Sequence, residues 1–298
     1  MKSKIRKAVI PAAGLGTRML PLTKSQPKEM LPLGSKPCIQ HIVEELCGAG
    51  IEQILFVVGD NKQAIENHFD KNAQLSRLLQ MSGQSEKMEL LNYENYDTTF
   101  FYTRQAEPKG LGHAIGCARD FIGDEPFLVA LGDAVITSKG RESFLSRMLS
   151  VYDDCDDSLI IGTRRVPYEQ TSHYGIVEFD GKLDAKYSSP IKSLIEKPPI
   201  GQTESNMAIS ARYILPPSIF DAIDSTQPGK GGEVQLTDAI MQLIRSDTSG
   251  RLVSLKSNET RYDIGSMADY YKAFVDFALA DERHGASIRA HVVKTLKL

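Results

Sequence analysis

Residues able to hold an anion are concentrated near one end of the chain. The stretch "KAVIPAAGLGTRMLPLTKSQPKEMLP" (residues 7–32) runs from a short apolar segment into Gly14, Gly16, Thr17, Arg18 and Lys28. Glycines let backbone N–H groups come close to an anion. Thr17 adds a hydroxyl donor. Arg18 offers a fork suited to phosphate and Lys28 a point charge. The prolines fix φ and lower the entropy of the unbound loop. A long stiff loop with separate cations suits a triphosphate chain. It is not a dinucleotide loop: G-x-G-x-x-G needs a third glycine where Met19 stands, and Pro21 bars a regular helix interior. The P-loop pattern G-x-x-x-x-G-K-[ST] is also missing.

The elements around this loop must position it. Lys7–Pro11 reads as a buried strand. "PCIQHIVEELCGAG" reads as a helix, with Ile39, Ile42, Val43 and Leu46 at helical spacing. Then follow a strand "EQILFVVGD", a short helix "NKQAIENHF", a strand "FFYTRQ", one helix "LGHAIGCARDFI" and a strand "PFLVALGD". This alternation over roughly the first 135 residues predicts an α/β fold with a parallel sheet and helices on both faces. Later the strands crowd together: "SLIIGTRRV", "GIVEFDGKL", "IKSLIEKP" and "SARYIL". "HYGIVEFDGKLDA" reads as a hairpin turning at Asp-Gly. A helix "VQLTDAIMQLIRS", strands "GRLVSLKS" and "RYDIG", and a long helix "MADYYKAFVDFALADE" follow. The basic end "SIRAHVVKTLKL" reads as a solvated amphipathic end or a subunit contact. A single domain over 1–298 is expected, with a subdomain in its second half.

Composition narrows the partners. The 298 residues are 41% hydrophobic and 24% charged, with a net charge of −3. These are ordinary globular values, and they point to neither nucleic acid nor membrane through bulk electrostatics. Cys38, Cys47, Cys117 and Cys155 form no C-x-x-C pair or zinc spacing and read as isolated thiols. The histidines form no H-E-x-x-H, and no Ser/His/Asp or Cys/His nucleophile arrangement stands out. "MKSKIRKAVIPAAG" lacks a secretory apolar core, and no run approaches the roughly 18 apolar residues of a membrane span. A cytoplasmic location is the expectation.

The loop and its continuation, "PAAGLGTRMLPLTKSQPKEMLPLGSKPCIQ", resemble the signature of the sugar-phosphate nucleotidylyltransferases. The likeness continues in the same order through "GLGHAIGCA", "ALGDAVI", "HYGIVEFD", "LIEKP", "SNMAISARYIL", "GGEVQLTDAI" and "RYDIGS". "PKEMLP" is similar to the form in the bacterial branch that joins UTP to glucose-1-phosphate, giving UDP-glucose and pyrophosphate. The resemblance implies a Rossmann-like nucleotidyltransferase fold. Its central sheet would be mixed, mostly parallel and flanked by helices, with a smaller β-rich sugar-binding part. It implies a nucleotide half at about 1–135, a sugar-phosphate half at about 136–270 and a C-terminal helical region at about 266–298. It also implies a magnesium ion and a homo-oligomer, dimer or tetramer.

Residue roles follow from the same resemblance. Backbone groups of Ala12, Ala13 and Gly14 would lie beside the nucleoside, with Gly16 and Thr17 on the phosphates. Gln105 can both donate and accept, as the uracil edge requires, and Gly110 would let the backbone approach the base. Asp133 and Asp263 would hold magnesium, an ion that takes one or two carboxylates plus phosphate oxygens. Each lies at a predicted strand end, where a turn or cap role is the plain alternative. Glu196 would accept from sugar hydroxyls, Gly175 would lie against the sugar, and Lys197 would hold the sugar phosphate. Arg18, Lys28, Asp133 and Lys197 are the expected catalytic set. Two departures bear on substrate: Ala211 stands where the family more often has glycine, and Ile264 where it commonly has cysteine. Another nucleoside triphosphate or hexose phosphate, or a noncatalytic regulatory paralogue, are the alternatives. Intact Thr17 and Arg18 favour an active enzyme.

Overall fold

Runs of β-branched and apolar residues, buried on both faces, build the inner strands of the parallel half of the sheet, and its edge strand is more exposed. A computed structural model of the chain describes residues 4–140, 142–155 and 158–297. Strand β1 (Lys7–Ala12) leads into a loop of three 3₁₀ turns, at Thr17–Met19, Leu22–Lys24 and Lys28–Met30. A small hairpin, β2 (Pro32–Leu33) and β3 (Lys36–Pro37), precedes α1 (Cys38–Gly48). Next come β4 (Gln53–Val58), α2 (Gln63–Phe69), α3 (Ala73–Met81), α4 (Ser85–Glu89) and β5 (Thr99–Arg104). Then α5 (Leu111–Gly116), α6 (Arg119–Ile122), β6 (Phe127–Ala130) and β7 (Ala134–Ser138) follow. The single helix expected over "LGHAIGCARDFI" is thus two. The break falls just after Gly116, in a segment whose two glycines weaken the helix.

The second half contains α7 (Phe144–Asp154), β8 (Leu159–Arg165), β9 (Gly175–Phe179), β10 (Ser188–Glu196) and β11 (Met207–Leu215). It continues with α8 (Ile219–Ser225), α9 (Leu236–Arg245), β12 (Gly250–Ser254), β13 (Glu259–Asp263), α10 (Met267–Ala280) and α11 (Gly285–Leu296). One sheet runs β5-β4-β1-β6-β11-β8-β12-β10-β9, and β9 pairs back onto β11 at Met207–Val177, so its last five strands close on one another. The pairs β4–β5, β1–β4, β1–β6 and β8–β12 are parallel. The pairs β6–β11, β8–β11, β9–β11, β9–β10 and β10–β12 are antiparallel. This corrects the expectation of a mostly parallel sheet: strands that follow one another without a crossover helix must pair antiparallel. The β-rich part is an extension of the same sheet. The predicted hairpin also shifts. β9 ends just before Asp180-Gly181, but its partner strand begins only at Ser188, because Asp184 Oδ1 accepts from the N–H groups of Lys186 and Ser188 and holds a second turn.

Alternation along β1 sorts the core into two layers. Ala8, Ile10 and Ala12 face α1 and α7, with Phe56, Ile42 and Met148. Val9 faces the opposite layer of α5, α8 and α9, with Val57, Ile115, Phe220 and Ile240. Strand β11 links the halves and carries a register shift between Ile209 and Tyr213, with Ala211 at φ 61° inside it. The shifted segment turns Arg212 into the interior, fully buried. Its Nε and Nη2 donate to Glu45 Oε2 at 3.1 and 2.6 Å, and Nη2 also reaches the Ala134 carbonyl at 3.0 Å. One guanidinium therefore ties β11 to α1 and to the first residue of β7. Removing it strands a nearly buried carboxylate. Arg212→Ala is expected to cost about 3–5 kcal/mol in urea unfolding, and a loss below about 1 kcal/mol, the range of an exposed pair, would contradict this role.

Candidate functional site

The glycine-containing loop is built from local constraints. Gly59, at the end of β4, lies against it so closely that an added Cβ would sit 2.9 Å from the Ala13 carbonyl oxygen. Gly16 adopts φ 68°, which glycine tolerates, and opens the Thr17–Met19 turn. Thr23 Oγ1 donates to the Gly16 carbonyl at 2.7 Å, while the Met19 side chain is wholly buried beneath. Thr17 and Arg18 stay exposed. Pro27, extended at φ −59° and ψ 141°, sets the entry to the Lys28–Met30 turn. Lys28 then returns to the loop's start: a methyl added at Gly14 would lie 3.9 Å from Lys28 Nζ.

The acids come from a two-stranded ribbon. Asp133 sits in the bend between β6 and β7, and Asp263 pairs with Ala134 at the end of β13. The Ile264 N–H donates to the Asp133 carbonyl at 3.0 Å, locking the two strand ends side by side. Lys28 Nζ meets Asp133 Oδ2 at 2.5 Å. Arg261 Nη2 meets Asp263 Oδ2 at 2.8 Å, and the Gly265 N–H donates to Asp263 Oδ1 at 2.9 Å. Burial opposes charge on both members of the first pair, but the partners prevail. The Asp133 carboxyl is held below its usual range by Lys28 and Arg261, and the Lys28 ammonium is raised by Asp133, Glu29 and Asp263. Beneath them Glu29 and Lys62 form a buried pair at 2.9 Å. Burial pushes the Glu29 carboxyl up despite both lysines.

Around these groups lies a cavity of about 540 Å³. The loop contributes Ala13, Gly14, Gly16, Thr17, Arg18 and Lys28 to its wall, and Gln105, Gly110, Asp133, Arg261 and Asp263 complete it. Ala12 is buried behind this wall and does not line it. Gln105 is nearly buried, its Nε2 within 3.1 Å of the Gly110 carbonyl and 2.8 Å of His113 Nδ1. Gly110 has φ 94°, and a Cβ there would meet Glu233 Cβ and the Val234 carbonyl at 2.8 Å. Its requirement for glycine comes from the chain at residues 233–234 packed against it. Among the described residues no group of three or more His, Cys, Asp or Glu could hold a metal. The donor set is two carboxylates, Asp133 and Asp263, in a cavity roomy enough for a nucleotide, which fits a hard cation that completes its shell with water and phosphate oxygens.

A second cavity, about 190 Å³, is lined by Gly175, Glu196, Lys197, Ala211, Tyr213 and Thr237, among others. Leu111, Leu131 and Arg261 line both cavities, so the two adjoin. Glu196 pairs with Gly175 across β9–β10, and a Cβ at Gly175 would sit 3.0 Å from Glu196 Oε2. Thr237 Oγ1 donates to that oxygen at 2.8 Å, and Lys197 Nζ lies 3.1 Å from Oε1. Lys197 itself is left-handed at φ 46°, just beyond the end of β10. Ala211 forms part of this wall in a conformation that suits glycine better. Sequence reasoning missed Arg261, Thr237 and the Glu29–Lys62 pair. All three lie inside quoted stretches; Thr237 and Glu29 meet partners 41 and 33 residues away, while Arg261 meets Asp263 only two residues on, and no periodic pattern marks any of them.

The family model described as nucleotidyl transferase matches residues 7–279. The chain is 44% identical over 295 residues to UTP–glucose-1-phosphate uridylyltransferase 2 of Staphylococcus saprophyticus, covering 99% of each. It is 44% identical over 279 residues to UTP–glucose-1-phosphate uridylyltransferase of Bacillus subtilis, covering 94% of this chain and 93% of that one. A solved structure of UTP-bound UGPase from Acinetobacter baumannii superposes with a TM-score of 0.87 at 34% identity, covering 97% of this chain and 99% of that one. A UDP-glucose pyrophosphorylase complexed with UDP-glucose gives a TM-score of 0.83 at 36% identity, over 93% and 100%.

The Lys28–Asp133 pair predicts a pH effect. The folded pKa of Asp133 is depressed, so its contribution is complete above the unfolded value of about 3.9 and is lost only as pH falls through the lower folded value. Lys28→Met removes the largest stabilising partner. Its acid-unfolding midpoint should move up by roughly half a pH unit or more, read by circular dichroism. An unchanged acid limb would contradict the assignment.

Proposed function

The chain belongs to the nucleotidyl transferase family, and from that membership and its two adjoining cavities we infer that it transfers the uridylyl group of UTP to glucose-1-phosphate, giving UDP-glucose and pyrophosphate. The observation that carries this reading is the junction: Lys28, Asp133 and Asp263 line a nucleotide-sized cavity, and Arg261, paired to Asp263, lines both that cavity and an adjoining sugar-sized one.

The chemistry asks for charge and position. A phosphate monoester has a second pKa of about 6 and is mostly dianionic at pH 7. It needs no general base, which agrees with a site that contains no activated side-chain nucleophile. It does need to approach a polyanion. In our reading the N–H groups from Gly14 to Thr17 cradle the triphosphate, and Arg18 and Lys28 neutralise it. Backbone at Ala12 and Ala13, with Gln105 and Gly110, faces the uridine. Glu196 and Gly175 hold the sugar, and Lys197 holds its phosphate. Asp133 and Asp263 would hold a magnesium ion, which supplies Lewis-acid neutralisation of phosphate charge when bound. Because Lys28 is already ion-paired to Asp133, nucleotide binding must loosen that pair before the ammonium can serve a phosphate. The parallel strands β5-β4-β1-β6 form the Rossmann-like nucleotide half of this reading. The reading extends to a cytoplasmic homo-oligomer, for which the exposed Tyr271, Phe274 and Val275 of α10 offer an apolar contact face.

The assay is pyrophosphate release from purified protein with magnesium, glucose-1-phosphate and each nucleoside triphosphate in turn. Release with UTP is expected. Release with dTTP alone would favour another substrate pair, and no release with any would favour a noncatalytic paralogue. Asp133→Asn should lower kcat by roughly 10²–10³-fold, the range for removing one charge-stabilising group, with an unchanged circular dichroism spectrum. Near-normal turnover would remove Asp133 from the reaction centre.

A further inference from the structure

Two arginines sit behind the junction, and the roles given above use neither. Lys28 lines only the larger cavity and Lys197 only the smaller one, whereas Arg261 lines both. The Arg261 side chain is 8% exposed. It gives Nη2 to Asp263, but its Nε is buried with no hydrogen-bond partner. Arg164, on β8, repeats the pattern: its Nε is also buried without a partner. Its guanidinium lies over the Tyr174 ring at 5.0 Å from the centroid. Tyr174 in turn lines the smaller cavity, and its carbonyl accepts from the Lys197 N–H at 3.1 Å. Burial and the like charge of Arg261 pull the Arg164 pKa down, so the two guanidiniums repel each other. A nearly buried and a half-buried guanidinium that repel each other, each with an unpartnered Nε, form an incomplete arrangement. An anion in the cavities that Arg261 lines would offset this unrelieved positive charge, and a guanidinium fork matches a phosphate.

We propose that Arg261 grips the phosphate borne by the sugar, and that Arg164 positions this contact through Tyr174. The inference rests on the uridylyl-transfer reading, because the group that spans the two cavities in that reaction is the sugar's phosphate. Its oxygen forms a bond to the α-phosphorus of UTP while the bond from that phosphorus to pyrophosphate breaks, and the electron pair leaves with pyrophosphate. Arg261 transfers no proton. It holds the attacking phosphate in line and offsets its charge, and in the product it holds the phosphate next to glucose. Arg261 is therefore a catalytic residue and Arg164 a positioning residue.

The test is calorimetric titration with UMP and with UDP-glucose, which needs no turnover. UMP fits the larger cavity alone, while UDP-glucose spans both. Arg261→Gln should weaken UDP-glucose binding by roughly 10–100-fold, the range for losing a charged hydrogen bond, and leave UMP within about twofold, the level of no net interaction change. Arg261→Lys should recover part of the loss, since charge returns without the fork. Arg164→Gln should weaken UDP-glucose alone and by less, and Arg164→Lys should restore it. Equal weakening of both ligands by the Arg261 variants, or wild-type affinity for UDP-glucose in Arg261→Gln, would overturn the catalytic assignment. Equal weakening by Arg164→Gln would reduce Arg164 to a structural residue and overturn its positioning role. If Arg261→Gln fails to fold, Arg261→Lys decides, and wild-type UDP-glucose affinity in that variant overturns the proposal. Wild-type protein that binds UMP but not UDP-glucose also overturns it. Wild-type protein that binds UDP-glucose yet releases no pyrophosphate from UTP and glucose-1-phosphate would sink the uridylyl-transfer reading and leave the Arg261 contact standing.

Discussion

The contact between Lys28 and Asp133 joins the far end of a long loop to the bend between β6 and β7. Both side chains are half-buried, and desolvation disfavours either charge alone there. Each offsets the other's desolvation, and further ion pairs adjoin them in Lys62–Glu29, where burial still raises the carboxyl, and Arg261–Asp263. The result is a floor of alternating charges, held in position before any ligand arrives. Such a floor can exchange partners. A polyanion brings acceptors for the lysine and arginine, and a hard cation brings a partner for the released carboxylates. In the proposed reaction the pairs that stabilise the free protein are the groups that would act on the ligands.

The sheet explains why these groups meet. Its parallel half places the ends of β1, β4 and β6 at one edge, where ligands bind in open α/β sheets. Strand β11 runs antiparallel beside β6 and carries the chain into the closed second half, whose β9–β10 pair supplies Gly175 and Glu196. The β7–β13 ribbon spans the two and sets Asp263 beside Asp133. Arg212, buried from the shifted segment of β11, fastens this ribbon to α1. Ala211, its neighbour, holds a left-handed backbone at the sugar-side wall. The departure from the family's usual glycine therefore falls where backbone conformation and cavity shape are decided together.

Much of this was legible in the residues. The loop announced itself through glycines, prolines and two cations, and the order of motifs pointed to the family. Asp133, Asp263, Glu196 and Lys197 were singled out because each was read at a strand end within a quoted motif; Asp263 and Glu196 do end β13 and β10, while Asp133 lies in the bend between β6 and β7 and Lys197 just beyond β10. Strand pairing was less legible. Alternation of strands and helices reads as parallel, but the strands after residue 158 follow one another with few helices, and their direction depends on partners that local sequence does not name. The hairpin turn was placed too early because Asp180-Gly181 is a strong local signal, whereas the Asp184 turn that delays β10 depends on side-chain bonds. Arg212 and Glu45 lie 167 residues apart, and Glu29 and Lys62 lie 33 apart. Pairs of this kind are products of the fold and leave no periodic trace. Gly110 was read as an opening toward the base; its φ of 94° and the packing of residues 233–234 against it call for glycine independently of any ligand.

The central claim is that charge and geometry suffice: the sugar phosphate attacks the α-phosphorus directly, with no covalent enzyme intermediate. Stereochemistry at that phosphorus tests it most directly. A single diastereomer of UTP carrying sulfur on the α-phosphate would be turned over with glucose-1-phosphate, and the configuration of the UDP-glucose analogue read by ³¹P NMR. One in-line displacement inverts the centre, and inversion is the result predicted here. Retention would mean two displacements through a nucleophilic side chain, and would contradict the account.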